Sequence, residues 1–573
     1  MTATRPHLPV RRWRVPTSAA AIAALAAGAA VVALAGATLL ATAMPALAAP
    51  AASRAPSGNV AWLTAAAEAD VDRAFAQARA ERKPVLLYWG ATWCPPCNQL
   101  KATFFNRQDF AEASRGFVAV HVDGDQRGAQ KIGARFKVSG YPTVVLFRPD
   151  GSEITRLPGE VEPERMMAVL RLGMAGGRPL KGVLADLDAG RQLAAGEWRM
   201  LAFYSWATDE QQLLPRNDVP DLLARMAVSA SSAASTADAD TRTRLWLKAV
   251  AASDDGRGLK ADDALRARVQ AVLADPAAAR RHADVLAGDA REMVRALSDD
   301  DSAQRTRLKA DFATALRRLE SDPTLSRGDR IGALIARVDL ARMDQPRDAI
   351  EVDVPAALRA ELRAHVARDD REITDGYERQ AVITAGAYAL AHAGLWDDSD
   401  ALLKANLPRS HSPYYLMSQL AGNARRLGHT DEALGWYAQA FEQSQGPATR
   451  LQWGSSYLTA LVDLAPADAA RIERVAAQLV DEAAADPGAF SGRSVRSMQR
   501  VSRKLMGWNI DGDHDAALER LRGRLAGTCA KVDPAGGQRA ACQALLKPEP
   551  AAGATKAAGG DKAAQALTSA RGG

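Results

Sequence analysis

The 573-residue sequence predicts an α/β domain with a mixed sheet and flanking helices, followed by a longer all-α region. Three observations carry that prediction. Short apolar runs alternate with helical periodicity between residues 59 and 175. From 176 to 545 the sequence offers alanine-rich helical windows, broken by Gly, Pro or Asp clusters, with few β-rich stretches. A chain of this length also exceeds one compact core, so about two to four domains are expected.

The N-terminal segment reads as an export address. Arg5, Arg11, Arg12 and Arg14 precede an uncharged, apolar stretch from Thr17 to Pro50. Ala46-Leu47-Ala48 then offers the small residues of a cleavage site. Residues 1–48 are thus a signal peptide or, because the apolar run is long enough to span a bilayer, a membrane anchor. Either outcome places the remainder outside the cytoplasm, in a periplasmic or equivalent compartment, free or tethered to the inner membrane. Disulfides persist in such compartments.

Residues 49–58, with Pro56-Ser57-Gly58, form a linker. Asp70 to Lys83 has Val71, Ala74, Phe75 and Ala78 at helical spacing, and Pro84 stops it. Val85 to Trp89 is an apolar run suited to a central strand. Trp93-Cys94-Pro95-Pro96-Cys97 follows and leads into a helix expected over Gln99 to Phe110. A strand over Phe117 to Val122 ends at Asp123-Gly124, and a short helix spans Gln130 to Phe136. Tyr141-Pro142 opens a strand ending at Phe147, Pro149-Asp150-Gly151 turns the chain, and Glu153 to Leu157 returns as a hairpin partner. Glu162 to Leu172 closes the unit as a helix.

These elements and the Trp93–Cys97 string resemble the thioredoxin superfamily over residues 68–172. Within it, Lys83-Pro84-Val85-Leu86-Leu87 leading to the CxxC is similar to exported thioredoxin-like domains, among them the periplasmic domain of a membrane protein that carries reducing equivalents out of the cytoplasm. The resemblance implies thiol–disulfide oxidoreductase chemistry with Cys94 and Cys97 as the redox-active, catalytic pair. It implies protein thiols and disulfides as partners, and a membrane thiol-reductant as donor. Cys94 falls at a helix N-cap, where orphan N–H groups and the helix dipole favour a thiolate. Cys97, one turn on, is placed to resolve the mixed disulfide. The resemblance further implies a cis Tyr141–Pro142 bond and substrate contacts from Trp93, Tyr141 and Pro142. In one respect the pattern departs: Tyr88 stands where the family carries a buried acid, and Lys101 where the exported domains carry another. His121 is the nearest titratable substitute in sequence.

Other chemistries lack their residues. The CxxC has no second CxxC or nearby His pair to complete a zinc site, and no glycine-rich phosphate loop is present, so neither metal nor cofactor is expected. Lys plus Arg number 73 against 67 Asp plus Glu, with no basic stripe interleaved with aromatics, which argues against nucleic acid. Nothing in the sequence sets an oligomeric state.

Residues 176–375 form a first helical region, and 376–545 a tetratricopeptide-like one. In the latter, Gly394 and Gly428 recur 34 residues apart, with Leu420, Ala421, Ala433, Tyr437 and Ala440 in the small/large pattern of such repeats. A stacked helical-repeat array, or else an irregular bundle, is expected, with a role in holding clients or partners. Tyr414, Tyr415, Trp436, Tyr437 and Trp453 are core residues or the lining of a peptide surface. Cys529 and Cys542 are expected to form a structural disulfide, and 546–573 a disordered tail. An alternative function is a helical-repeat binding scaffold whose redox domain senses a partner or serves as a dedicated reductant.

Overall fold

The computed structural model describes residues 60–547, apart from Ser139, Pro158, Glu160, Ala207, Glu210, Gln211, Asp255 and the side chain of Ala535. The signal or anchor segment and the linker fall outside the described residues, as does the tail beyond Lys547.

Five strands form one sheet: β1 (Leu63–Thr64), β2 (Val85–Gly90), β3 (Val118–Asp123), β4 (Thr143–Phe147) and β5 (Glu153–Leu157), in the order β1-β3-β2-β4-β5. β3 runs parallel to β1 and β2, whereas β4 is antiparallel to β2 and β5. The mixed sheet expected from the sequence is therefore present. β1 was not legible because two residues carry no periodicity.

Between the strands lie α1 (Glu68–Glu81), α2 (Pro95–Leu100), α3 (Gln108–Ala113) and α4 (Ala129–Arg135), and α5 (Pro163–Met174) follows the last strand. The helix expected over Gln99 to Phe110 is not continuous. It starts earlier, at Pro95, widens into a π-turn at Lys101–Phe105 and breaks before α3. The wide turn lets the adjacent Phe104 and Phe105 both enter the core, where each ring meets Phe110, at 4.7 and 5.2 Å.

Period-two alternation along β2 divides the core. Val85, Leu87 and Trp89 join Phe75 of α1 and Ile132 of α4 on one side. Leu86 and Tyr88 face the other side, with Cys97 of α2 and Met166 and Leu170 of α5. This second core does not end at residue 175. It runs without interruption through Leu180, Trp198 and Leu201 to Tyr415, Trp453 and Leu525 of the helical region. Residues 60–547 therefore lie within one compact unit.

The remainder is helical. Antiparallel pairs include Gly376–His392 with Trp396–Asn406 and Pro413–Arg426 with Thr430–Gln443. Gly394 and Gly428 sit at equivalent turns with φ of 76° and 77°, a left-handed conformation that favours glycine. Among the described residues, no helix is long and apolar enough to cross a membrane.

Candidate redox site

β2 ends at Gly90 and the chain turns through Thr92 and Trp93 to deliver Cys94 as the N-cap of α2. Pro95 and Pro96 occupy the first helical positions, where Pro95 forfeits no intrahelical hydrogen bond. The Cys97 N–H donates to Cys94 Sγ at 3.2 Å, and the two cysteines are joined as a disulfide with Cα atoms 5.3 Å apart. Asn98, fully buried, pins the turn: its Nδ2 donates to the carbonyls of Thr92 and Cys94, both at 2.8 Å.

The Tyr141–Pro142 peptide bond is cis. Tyr141 lies edge-on to Trp93 at 6.0 Å, and its hydroxyl accepts from Gln130 Nε2 at 3.0 Å. That hydroxyl passes over Gly124, where any Cβ would come within 2.0 Å of it. The fold thus brings Tyr141, with its cis bond to Pro142, against Trp93 of the segment that carries Cys94 and Cys97. Cys529 and Cys542 form a separate bridge between the helices Asp515–Lys531 and Gln538–Gln543.

The redox face is covered. Cys94 is 2% exposed and Trp93 1%, because the helical region packs over both. Trp93 stacks on Tyr415 at 5.8 Å and meets the edge of Trp453 at 4.9 Å. Its Nε1 lies 2.8 Å from both Asp125 Oδ2 and Thr449 Oγ1. The Arg493 guanidinium sits over the rings of Trp93 (4.5 Å) and Tyr141 (4.8 Å), a cation–π clamp. Gln380 Nε2 reaches the Trp93 carbonyl, His411 Nε2 lies 3.1 Å from the Thr92 carbonyl, and Gln99 Nε2 donates to Ser326 Oγ. Of the five aromatics read as core or peptide surface, Tyr415 and Trp453 pack on the redox loop itself. Asp125, Gln380, Thr449 and Arg493 were not singled out from the sequence. Three of the four sit more than 280 residues from Trp93, and no motif marks them.

Burial tunes the titrating groups here. It pushes the Asp125 carboxyl up to about 6, against the lowering effects of Thr449 and Arg493. On the far side of α2, Tyr88 stacks on His121 at 4.9 Å, its hydroxyl buried without a hydrogen-bond partner and its acidity suppressed by desolvation. Burial likewise lowers the His121 imidazole and the Lys101 ammonium, which sits 5.2 Å from the Tyr377 ring. The position of the family's buried acid is thus filled by an uncharged phenol beside a histidine disposed to stay neutral. Among the described residues, no cluster of three or more His, Cys, Asp or Glu is arranged to hold a metal ion.

A family model described as a thioredoxin-like domain matches residues 71–173. A thioredoxin of Malassezia sympodialis is 31% identical over 97 residues, which cover 17% of this chain and 87% of that protein. The chain belongs to the thioredoxin family. Its thioredoxin-like region is also similar to the thiol:disulfide interchange protein DsbD 2 of Pseudomonas aeruginosa, 32% identical over 116 residues, 20% of each chain. DsbD of Klebsiella pneumoniae is 29% identical over 117 residues, 20% of this chain and 19% of that one. The chain thus spans about a fifth of the length of these DsbD relatives. A thioredoxin-like domain carrying a CxxC pair supports thiol–disulfide oxidoreductase chemistry in general.

Proposed function

We propose that the protein is an extracytoplasmic thiol–disulfide oxidoreductase acting on protein disulfides through Cys94 and Cys97, with its helical region selecting the client. The observation that carries this reading is Cys94 at the N-cap of α2, its sulfur accepting the Cys97 N–H, with Tyr141 of the cis Tyr141–Pro142 bond packed edge-on to the neighbouring Trp93. In the reduced enzyme, the Cys94 thiolate attacks one sulfur of a client disulfide. A Cys94–client bond forms, and the other client sulfur leaves as a thiolate that takes a proton. Cys97, as a thiolate, then attacks Cys94 Sγ, restoring the Cys94–Cys97 bond and freeing the second client thiol. Two electrons pass to the client, and a thiol reductant, for which a membrane donor is the fitting source, returns them. The export-type N-terminal segment and the Cys529–Cys542 bridge both fit an oxidising compartment.

The test is Cys97→Ala in the full chain, expressed in its own compartment. Cys94 then attacks but is not released, so mixed disulfides with several proteins accumulate and separate on diagonal gels. A folded, exported variant that traps nothing sinks the reading. The covered redox face favours a second reading, in which the helical array is the binding module and the dithiol senses its partner. One dominant partner that still co-purifies when Cys94 is also Ala selects that alternative.

A further inference from the structure

Beside the CxxC turn lies a cavity of about 250 Å³, walled on one side by the thioredoxin-like region and on the others by helices of the helical region. Pro95 and Pro96, the residues between the two cysteines, form the first wall together with Gly159. Gly159 is backed by the cis proline: a Cβ there would come 2.8 Å from Pro142 Cγ. The cavity therefore adjoins both motifs of the redox site.

The opposite walls are built to leave room. Helix Ala283–Gly288 contributes Ala283 and Ala287, helix Arg327–Arg342 contributes Gly328 and Gly332, and helix Gly376–His392 contributes Ala381 and Ala385. Each is an i, i+4 pair of small residues on one helical face. At Gly328 the room is taken by the Gln99 side chain, which an added Cβ would meet at 2.5 Å, and the other small residues border the cavity. At Gly332 and Gly288 an added Cβ would meet nothing within 4 Å.

The lining also selects by charge. Neither Lys nor Arg lines the cavity, whereas Asp284 and Asp329 do, so an anionic disulfide finds no counter-charge. Most of the remaining wall is aliphatic. Gln419, also in the wall, donates its Nε2 to the Thr384 carbonyl at 3.0 Å, while its side-chain oxygen is buried with no hydrogen-bond partner. That is one acceptor available to a peptide N–H in a chamber whose wall is mostly aliphatic.

We infer that this cavity is the client-selecting subsite: it takes an uncharged aliphatic segment of a polypeptide, adjacent to the client cysteine that exchanges with Cys94. The inference rests on the protein-disulfide reading above and adds the class of sequence preferred. It also gives the helical region a direct part in substrate choice, because most of the walls belong to it.

The full-length, pre-reduced protein is mixed with two symmetrical peptide disulfides, one with Leu and Val flanking each cysteine and one with Asp and Glu. Mixed-disulfide formation and release are followed by acid quench and mass spectrometry. The aliphatic peptide should react about tenfold faster or more, the scale set by burying one or two aliphatic groups. Gly332→Phe, which fills the cavity from a wall with space for the ring, should bring the ratio of the two rates to about one. The ratio is the readout because it cancels any general change in cysteine reactivity. Gly288→Leu, from a different wall, should do the same and serves if the first variant fails to fold. Equal rates in the parent protein, or a preference retained in both variants, overturns the subsite while leaving the protein-disulfide reading intact. Failure of the reduced parent to react with either peptide, while it still reduces hydroxyethyl disulfide, overturns that reading and the subsite with it.

Discussion

The molecule holds two disulfides that burial alone does not distinguish. Cys94 and Cys97 are 2% and 0% exposed, and Cys529 and Cys542 are likewise 2% and 0%. What differs is the backbone around each sulfur. Cys94 caps the start of α2, and although Pro95 and Pro96 bring no N–H, the Cys97 N–H donates to its sulfur and the positive end of the helix dipole faces it. Cys529 lies in the last turn of the helix Asp515–Lys531, where the backbone presents carbonyls and the dipole opposes a thiolate. On the proposed reading, helix polarity rather than accessibility separates the pair that exchanges from the pair that staples.

The largest expected effect breaks the comparison outright. Cys94→Ala should abolish exchange with protein disulfides, whereas Cys529→Ala should keep the parent rate in the same turnover assay. Activity lost in both would mean that the second pair takes part in electron transfer.

A second measurement sharpens the contrast within the first pair. In reduced protein near pH 7, Cys94 should alkylate with iodoacetamide about tenfold faster than Cys97 or more, because thiolate character concentrates at the helix start. Timed quenching and peptide mapping read this directly, and faster labelling of Cys97 would reverse the assigned roles.

Stability should separate the pairs in the opposite sense. Replacing Cys529 and Cys542 together by Ala removes a cross-link over 13 residues and should cost about 3 kcal/mol by urea unfolding. The same bridge should also survive mild dithiothreitol that opens the CxxC, since structural bridges resist reduction. Non-reducing maps that show it opening first would contradict its role as a staple.

The smallest effect concerns the cover over the first pair. Folding raises the Asp125 carboxyl from 3.8 to about 6, so the folded protein holds that proton more tightly than the unfolded chain. Its contribution is greatest below pH 3.8 and fades as pH rises through about 6, a loss of at most about 3 kcal/mol spread over that interval. Asp125→Asn should flatten this part of the stability-versus-pH curve. Parallel curves for parent and variant between pH 4 and 7 would place the titration elsewhere.

Much of this protein was legible in the sequence because it is written locally. The run Val85–Gly90, the CxxC with its prolines, the Tyr141-Pro142 loop and the hairpin at Asp150-Gly151 each announce themselves within a few residues, through side-chain period, φ restriction or turn chemistry. The paired glycines at 394 and 428 likewise marked equivalent helix turns. Local signals fixed less well the π-turn at Lys101–Phe105, which depends on where two adjacent phenylalanines are buried, and the two-residue β1. Tertiary structure alone decided that the redox face lies beneath Tyr415, Thr449, Trp453 and Arg493, and that a cavity opens beside Pro95 and Pro96. A residue's own neighbours along the chain determine its backbone preferences and its helical or strand face. Which distant face it meets depends on the packing of one core that runs from the sheet into the last helices, and no short stretch of sequence encodes that.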